Sequence, residues 1–409
     1  MVSLAVVPLR GVRFSDGSLS VDPFSRAWTV LSPLQAAEFQ RRYPVDSSVY
    51  GNFDQLRDRL HPDAYLLVEC KSPSAPDYLD TYDHAETILG ALCISTLLAP
   101  EDPAGTRQYV PRPIYRTRTL EYCDLPLVLD VDRLRLVGHS SPFMWLSPDR
   151  GSGATPLSSR ELFAMTSAAP SVARDILSGT PLVTDWQRRM RAGLRALHAA
   201  FQAASPGQFV ANMATVAEVL VNAGNERWRR RLSRLKVLVG PVYWTRIEEI
   251  MAARHDYVHE ARQPAFGYLA FGALALAVHV WSVLHELYEA RGDTNSVLRE
   301  IDHLATGDPP ADRKTSNLSA ADVASLNARY ASIPRGPLRR RYWINQALTD
   351  IHPNEYYQRF SVFGSVNCPG CGALLKQQHQ VRHTPEAEVF ACAACNRQTE
   401  ALLPFVNAR

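Results

Sequence analysis

Four cysteines near the end of the sequence constrain its fold more than any other feature. They form two Cys-x-x-Cys pairs, and twenty residues separate the first pair from the second. The four residues are Cys368, Cys371, Cys392 and Cys395. Two such pairs supply the four thiolates that a structural zinc ion binds in a tetrahedral site. We therefore predict a small zinc ribbon over residues 356–409, with all four cysteines as ligands and Zn²⁺ as a structural cofactor.

Apolar residues recur at helical spacing through the middle of the chain. The pattern predicts five consecutive helices, at residues 186–204, 209–222, 226–238, 242–259 and 266–290. Gly240 and Pro241 separate the third helix from the fourth, and Arg291 and Gly292 supply the charge and the glycine expected where the fifth helix ends. We predict an all-α helical bundle over residues 181–292.

The flanking segments have different patterns. Residues 1–180 alternate candidate strands with helices, which predicts an α+β domain with helices packed on a partly antiparallel sheet. Its candidate strands are residues 1–9, 64–69, 107–110 and 127–137, and its candidate helices are residues 33–43 and 81–98. Residues 293–355 are looser in composition and predict a linker with helical pieces, one of them capped within residues 318–322. The predicted fold class is thus multidomain.

The fourth predicted helix carries Arg254, His255 and His259 close to its end. Cleavage of RNA by its own 2′-hydroxyl needs a group that moves protons near neutral pH and a cation that stabilises the charge growing on the phosphate. Histidine and arginine supply these two roles without a metal. The same spacing also occurs at solvated helix ends that have no catalytic role.

Geometry limits how this pair can act. A five-residue offset on a regular helix is about 140° of rotation and about 7.5 Å of rise. Arg254 and His259 can therefore converge only if the helix frays after His259 or the arginine curls around it. Pro264 disfavours helix at the preceding residue, which predicts that the helix ends between residues 260 and 267.

Set among these helices, the motif resembles that of the HEPN ribonucleases, and within them the Apea-like group of bacterial defence proteins. That group carries an arginine, a polar residue, three variable positions and a histidine near the end of a helix in a compact bundle. Arg254, His255 and His259 occupy those positions here. The similarity is closest over residues 209–262 and extends more loosely over residues 60–292.

The resemblance implies a cytoplasmic endoribonuclease that acts as a homodimer, with two copies of the motif facing each other across a shared cleft. It implies metal-independent cleavage of RNA, with tRNA as a candidate substrate, to 2′,3′-cyclic phosphate and 5′-hydroxyl ends. His259 would be the general acid or base, Arg254 would stabilise the transition state, and His255 would orient or tune the pair. The same family implies a toxin in phage defence by abortive infection, with a phage-derived trigger and a recognition or regulatory role for residues 1–180.

Arginines beside the motif are candidate contacts to RNA phosphates. They are Arg227, Arg230, Arg231 and Arg234 on the third helix, and Arg340 farther along the chain. The alternative is a solvated helix face whose arginines pair with the acidic residues Glu218, Glu226, Glu248 and Glu249. The ribbon likewise has three open roles: a structural or dimer-supporting module, a grip on nucleic acid, or a sensor of a phage protein.

The composition of the chain limits which binding partners and which cell compartment are compatible with it. A formal net charge of +3 and a pI of 8.4 are only mildly basic, so a nucleic-acid surface must be local. Cys70, Cys93 and Cys123 lack partners at Cys-x-x-Cys spacing, which together with the ribbon predicts a reducing cytosol. Residues 265–284 are uncharged and long enough to span a bilayer, but a histidine and two glycines within them favour a buried helix. Two alternatives stay open: a non-catalytic zinc-containing sensor that binds nucleic acid or protein, and a membrane-inserting toxin.

Overall fold

The chain divides into two compact units, of which the first comprises residues 1–100 and 106–216 and the second residues 101–105 and 217–409. The structure is a computed structural model, and the residues it describes are mostly helical. They are residues 2–10, 12–13, 28–32, 34–36, 38, 64–71, 78–99, 112–113, 127–130, 135–139, 157–203, 206–224, 226–261, 267–308, 318–348, 366–367, 371, 374–375, 380–383 and 387–402. The predicted strand at residues 107–110 and most of the predicted helix at residues 33–43 lie outside them.

An antiparallel sheet supports the first unit. The strands of this unit are β1 (Val2–Arg10), β2 (Val12–Arg13), β3 (Trp28–Leu31), β4 (Ala64–Lys71), β5 (Arg112–Pro113), β6 (Leu127–Asp130), β7 (Arg135–His139) and β8 (Leu157–Ser158). The main sheet has the order β3-β4-β1-β5, with Leu9 of β1 opposite Ala64 of β4. Strand β2 pairs with β8, and β6 pairs with β7. The partly antiparallel sheet predicted for residues 1–180 is confirmed.

The helices of the first unit pack around one central helix. They are α1 (Tyr78–Leu97), α2 (Ser159–Ser167), α3 (Ser171–Ser178) and α4 (Asp185–Phe201). Every residue of α1 from Ala85 to Leu97 is buried, as expected of a helix that is covered on all sides. Strands β1 and β4 cover one part of α1, and α2, α3 and α4 cover the rest.

Helices α1 and α4 meet backbone to backbone at Gly90. A Cβ atom added at Gly90 would lie only 2.2 Å from the carbonyl oxygen of Leu194. Helix α4 begins at a capping box, in which the Thr184 side chain accepts from the Gln187 amide and the Gln187 side chain accepts from the Thr184 amide. The sequence predicted α4 as the first helix of a bundle over residues 181–292. In the structure α4 instead packs in the first unit, because it makes this close backbone contact with α1.

The second unit is built from consecutive helices. Helix α5 (Pro206–Val221) begins in the first unit and enters the second after Val216, and the others are α6 (Trp228–Val239), α7 (Trp244–Glu260), α8 (Gly267–Arg291), α9 (Thr294–Ala305), α10 (Ala320–Arg329), α11 (Gly336–Arg340) and α12 (Tyr342–Leu348). Short 3-10 turns, Pro241–Tyr243 and Tyr330–Ser332, precede α7 and follow α10. Helices α4 to α8 match the five predicted helices within a few residues.

Helix α8 is the centre of the second unit. Helices α6, α7, α9, α11 and α12 pack against it, and its residues from Gly272 to His285 are all buried. Within it, the Nε2 atom of His279 lies 3.1 Å from the carbonyl oxygen of Leu238, and burial lowers the pKa of His279 to about 4. His279 is therefore a neutral core residue at physiological pH. Among the described residues, no helix combines the length and apolar character needed to cross a membrane.

The segment predicted as a linker contributes to this core. Val297, Leu298 and Ile301 of α9 are buried, and so are Ile344 and Leu348 of α12. The predicted helix capped within residues 318–322 is confirmed as α10, which Ser319 and Asp322 begin with a capping box. Residues 294–305 and 336–348 thus belong to the helical core, because α9, α11 and α12 pack against α8.

The carboxyl-terminal region contains short strands. They are β9 (Val366–Asn367), β10 (Leu374–Leu375), β11 (Gln380–His383), β12 (Ala387–Ala391) and β13 (Gln398–Leu402). Strand β9 pairs with β10, and β12 lies between β11 and β13 in an antiparallel sheet. The apolar residues at 373–375 and 389–391 predict short strands between the two cysteine pairs, and β10 and β12 confirm them.

The contact at Gly90 predicts a specific sensitivity of the fold. We expect Gly90→Ala to lower the free energy of unfolding by more than about 2 kcal/mol, because the new methyl group meets backbone that cannot move aside. Gly272→Ala is the graded comparison, because its added Cβ would lie 3.0 Å from the Ala347 carbonyl oxygen, a tight contact but a less severe one, and should lower the free energy of unfolding by less. Urea unfolding followed by circular dichroism measures both, and an equal effect of the two substitutions would contradict the proposed close contact.

Candidate active site and metal-binding cluster

Helix α7 ends where Pro264 predicts. Its last helical residue is Glu260, and Ala261 follows in the left-handed region with φ 52°. The Ala261 amide donates to the Tyr257 carbonyl oxygen over 3.0 Å, which closes the last turn. His259 lies in that turn, where the partial negative charge of the helix end favours a cation.

His255 and His259 form an exposed pair on α7. Their ring centroids lie 4.5 Å apart with 44° between the ring planes, and both side chains are exposed. The two residues are four apart, so they share one face of the helix. The exposed face of α7 thus presents two imidazoles side by side.

Arg254 turns toward helix α5. Its Nη1 atom lies 3.4 Å from Oε1 of Glu218, and its side chain is 31% exposed. Helix α7 stays regular through His259, so Arg254 and His259 leave its axis in different directions. Among the contacts that the structure describes, His259 meets His255 and Arg254 meets Glu218. A site that uses both Arg254 and His259 therefore needs more than the local geometry of this helix.

Glu218 is shared by two arginines. Its Oε1 atom faces Arg254, and its Oε2 atom lies 3.9 Å from Nη2 of Arg231 on α6. The guanidinium groups of Arg231 and Arg254 thus lie close to the same carboxylate. The sequence identified Glu218 only as one of several acidic partners, because no local pattern reveals that α6 and α7 both converge on it.

Arg234 has a different role from the one predicted. Its side chain is only 1% exposed, and all five of its N–H donors are used. They bond to both carboxylate oxygens of Asp302, both of Glu226 and the carbonyl oxygen of Val221. The prediction that Arg234 contacts RNA is therefore wrong, because no donor is left for a phosphate.

The same network includes Arg230, which is half exposed. Its guanidinium lies 2.6 Å from Asp302 and 3.3 Å from Glu226. Burial alone would raise the pKa of Asp302 and of Glu226, but the hydrogen bonds from Arg234 outweigh it and hold both pKa values below their usual range. Both carboxylates are therefore charged at neutral pH.

The acidic residues considered as alternative partners all pair with basic side chains. Besides Glu218 and Glu226, Glu248 lies 2.6 Å from the Nζ atom of Lys236, and Glu249 lies 2.8 Å from Nη1 of Arg246. Much of the charge on α6 and α7 is thus neutralised within the unit. Arg227 is exposed at the start of α6, whereas the side chain of Arg340 lies outside what the structure describes.

Three cysteine sulfurs come together in the carboxyl-terminal region. The Sγ atoms of Cys371, Cys392 and Cys395 all lie within 4.8 Å of one another, and those of Cys371 and Cys392 are 3.5 Å apart. A tetrahedral thiolate site with metal to sulfur bonds of about 2.3 Å has sulfur to sulfur distances of about 3.8 Å. The three residues therefore fit a metal ion, and Cys368 lies outside the described residues.

The second cysteine pair is held by a tight turn. The Cys392 amide donates to the Arg397 carbonyl oxygen over 2.9 Å, and the Asn396 amide donates to the Cys392 carbonyl oxygen over 2.8 Å. Asn396 has φ 59°, a left-handed conformation that asparagine tolerates better than most residues. This turn brings Cys392 and Cys395 to one side, as a shared metal requires.

Comparisons with protein-family models, with curated proteins and with solved structures find no match to this chain.

The buried position of Arg234 predicts a stability role that its neighbour does not share. We expect Arg234→Met to lower the free energy of unfolding by about 3 kcal/mol at neutral pH, because the partly buried carboxylates of Glu226 and Asp302 lose their buried partner and keep only Arg230. Arg230 is half exposed, so Arg230→Met should lower the free energy of unfolding by at most about 1 kcal/mol.

The pH dependence gives a second test of the same network. The folded pKa values of Asp302 and Glu226 are lowered, so the stability that Arg234 provides is present above about pH 4 and is lost as pH falls through them. The difference in the free energy of unfolding between the wild type and Arg234→Met should therefore become smaller at acidic pH. Unfolding curves in urea from pH 7 to pH 3 measure it, and a constant difference would refute the assignment.

The cysteine cluster predicts one bound metal ion per chain. Elemental analysis by mass spectrometry of the purified protein should find it, and each of Cys371→Ser, Cys392→Ser and Cys395→Ser should lose most of it. Cys93→Ala is the control, because Cys93 is buried in α1 and should leave the metal content unchanged. Full metal content in all three serine variants would mean that the cluster binds no metal.

Proposed function

We propose that the chain is a metal-independent endoribonuclease of the HEPN type. The proposal rests on a group of side chains where the ends of α5, α6 and α7 come together. His255 and His259 form an exposed pair on α7, and Arg254 directly precedes His255. Arg254 and Arg231 both lie near the carboxylate of Glu218. The histidines supply proton transfer, and the arginines supply positive charge for a phosphate. Both requirements of RNA cleavage by the 2′-hydroxyl are thus present on adjacent turns.

The proposed cleavage consists of two proton transfers and one exchange of bonds at phosphorus. One imidazole, that of His259, removes the proton from the ribose 2′-hydroxyl, whose oxygen then attacks phosphorus. The bond from phosphorus to the 5′-oxygen breaks, and that oxygen receives the proton from the His259 imidazolium, which returns the histidine to its neutral form. The products carry a 2′,3′-cyclic phosphate and a 5′-hydroxyl. Arg254 stabilises the charge on the phosphate in the transition state, and His255 orients His259 through the ring contact.

A homodimer provides the geometry that one copy lacks. Arg254 and His259 leave α7 in different directions, so in the proposed enzyme His259 of one subunit meets Arg254 of the other. Apolar side chains beside the site support such a contact, because Val258 is 56% exposed next to His259 and Val219 is 41% exposed next to Glu218. Exposed valines beside charged residues are typical of a surface that another protein covers.

The remaining assignments extend the proposal to the whole chain. We propose that the ion at the cysteine cluster is zinc, with Cys368 as the fourth ligand, because four thiolates suit Zn²⁺. In this proposal the zinc ribbon is a separate domain of a multidomain chain, the nuclease acts in the cytoplasm as an abortive-infection toxin against phage, and residues 1–180 receive a phage-derived trigger. A cell whose RNA is destroyed cannot replicate a phage.

Cleavage assays test the proposed chemistry. Incubation of tRNA and of total RNA should yield fragments with cyclic-phosphate ends, in buffer without added divalent ions and with EDTA at a concentration that leaves the bound metal in place. We expect Arg254→Ala and His259→Ala each to lower the rate by about a hundredfold or more. His303→Ala, at an exposed histidine of α9, should retain full activity. RNA binding without turnover in the wild type would instead favour a non-catalytic sensor.

A mixing experiment tests the shared site. Arg254→Ala and His259→Ala are each inactive alone, but a mixed dimer holds one site in which both partners are intact. Mixing the two variants at equal amounts under conditions of subunit exchange should therefore restore about a quarter of the wild-type rate. No recovery, with exchange verified by differently tagged subunits, would place the arginine and the histidine of each site in the same chain.

A further inference from the structure

We propose that His255 and His259 form a chelating site for a divalent transition-metal ion, and that the bound ion inhibits the nuclease. The metal site rests on the geometry of α7, and the inhibition rests on the proposed function. This site is distinct from the cysteine cluster, whose ligands are sulfurs. Its ligands are imidazole nitrogens, which suit ions such as Ni²⁺, Cu²⁺ and Zn²⁺.

The spacing of the two histidines suits one shared ion. They are four residues apart on a regular helix, so their imidazoles leave the same face one turn apart. Two histidines at this spacing are the helical part of known zinc-binding motifs. Because the helix holds both rings, binding of an ion to one nitrogen brings the second nitrogen within reach. The pair therefore binds an ion more tightly than a single histidine does.

The separation of the two rings agrees with chelation. An ion about 2.1 Å from an imidazole nitrogen lies about 3.2 Å from the centroid of that ring. If the two bonds to the ion meet at a right angle, the centroids are about 4.5 Å apart. The observed separation is 4.5 Å. A right angle between ligands is typical of the square-planar and tetragonal sites of Cu²⁺ and Ni²⁺, whereas a tetrahedral zinc site has a wider angle.

Both imidazoles are accessible to an ion. Each side chain is exposed, and in the part of the chain that the structure describes neither ring takes part in a hydrogen bond or an ion pair. His279 shows the contrast, because it is fully buried and its Nε2 atom lies 3.1 Å from the Leu238 carbonyl oxygen. The nitrogens of His255 and His259 are therefore available to a metal, and water completes its coordination.

A bound ion blocks the proposed chemistry at its first step. A neutral imidazole has one nitrogen with a free lone pair, because the other nitrogen carries a hydrogen. In the proposed reaction, His259 uses that lone pair to remove the 2′-hydroxyl proton, and the same lone pair binds the ion. The two events exclude each other. Cleavage therefore stops when the site is filled and resumes when a chelator removes the ion.

Calorimetric titration with Ni²⁺ tests the site in the full chain with zinc at its cysteine cluster. We expect one Ni²⁺ to bind per chain in the wild type. His255→Ala and His259→Ala should each raise the Kd for Ni²⁺ by about tenfold or more, because a single imidazole remains. His303→Ala is the matched control, since this exposed histidine of α9 has Arg299 and Gly307 at the four-residue spacing and should leave Kd unchanged.

A rescue variant separates the spacing of the histidines from other effects of losing His259. Met251 lies four residues before His255 on α7. Met251→His in the His259→Ala background therefore places two histidines one helical turn apart again. This double variant should regain binding of Ni²⁺ but not cleavage of RNA.

The cleavage assay tests the inhibition. Ni²⁺ at a concentration that fills the site should lower the wild-type rate by about tenfold or more, and EDTA should restore it. Unchanged cleavage with the site filled would overturn the inhibition, and equal Kd values in the wild type and both alanine variants would overturn the metal site. If the wild type binds Ni²⁺ through both histidines but cleaves no RNA in EDTA, the nuclease proposal fails and the metal site stands.

Discussion

The guanidinium of Arg234 is the contact on which the arrangement of the second unit depends. It ties helix α6 to the end of α5 through Val221, to the segment before α6 through Glu226, and to α9 through Asp302. A buried guanidinium is stable only when its donors are satisfied, and here all five bonds are made. With α6 fixed in this way, Arg231 is directed toward Glu218. An arginine that does not touch RNA thus positions one that is proposed to do so.

The candidate site is held by ion pairs that are weaker than this buried network. Glu218 lies 3.4 Å from Arg254 and 3.9 Å from Arg231, beyond the short distances of charge-assisted hydrogen bonds. Such long contacts keep the two arginines near one position. In the proposed enzyme, contacts to an RNA phosphate replace them. The rigid and the adaptable ion pairs therefore have separate roles. Close pairing around Arg234 ties α6 to its neighbours, and the longer contacts at Glu218 bring Arg231 and Arg254 to one place.

Residues that are near in sequence were predicted well. The five helices from α4 to α8, the capped helix α10 and the end of α7 follow from periodicity, capping residues and Pro264, all of which act over a few residues. The closeness of His255 and His259 follows from their four-residue spacing in the same way. The approach of Cys392 to Cys395 also follows from a local turn, and the two-pair spacing correctly predicted that Cys371 joins them.

Contacts between distant segments were decided only by the tertiary structure. Five arginines and one lysine lie between residues 227 and 236, and their sequence does not distinguish Arg234, which is buried, from Arg227, which is exposed. That difference depends on Asp302 of α9, far along the chain. Likewise, Gly90 in α1 rather than any feature of α4 draws α4 into the first unit. The sequence determined the elements and the metal-binding turns, since these depend on neighbours within a few residues, whereas the packing of helices decided which charges are neutralised and which remain at the surface.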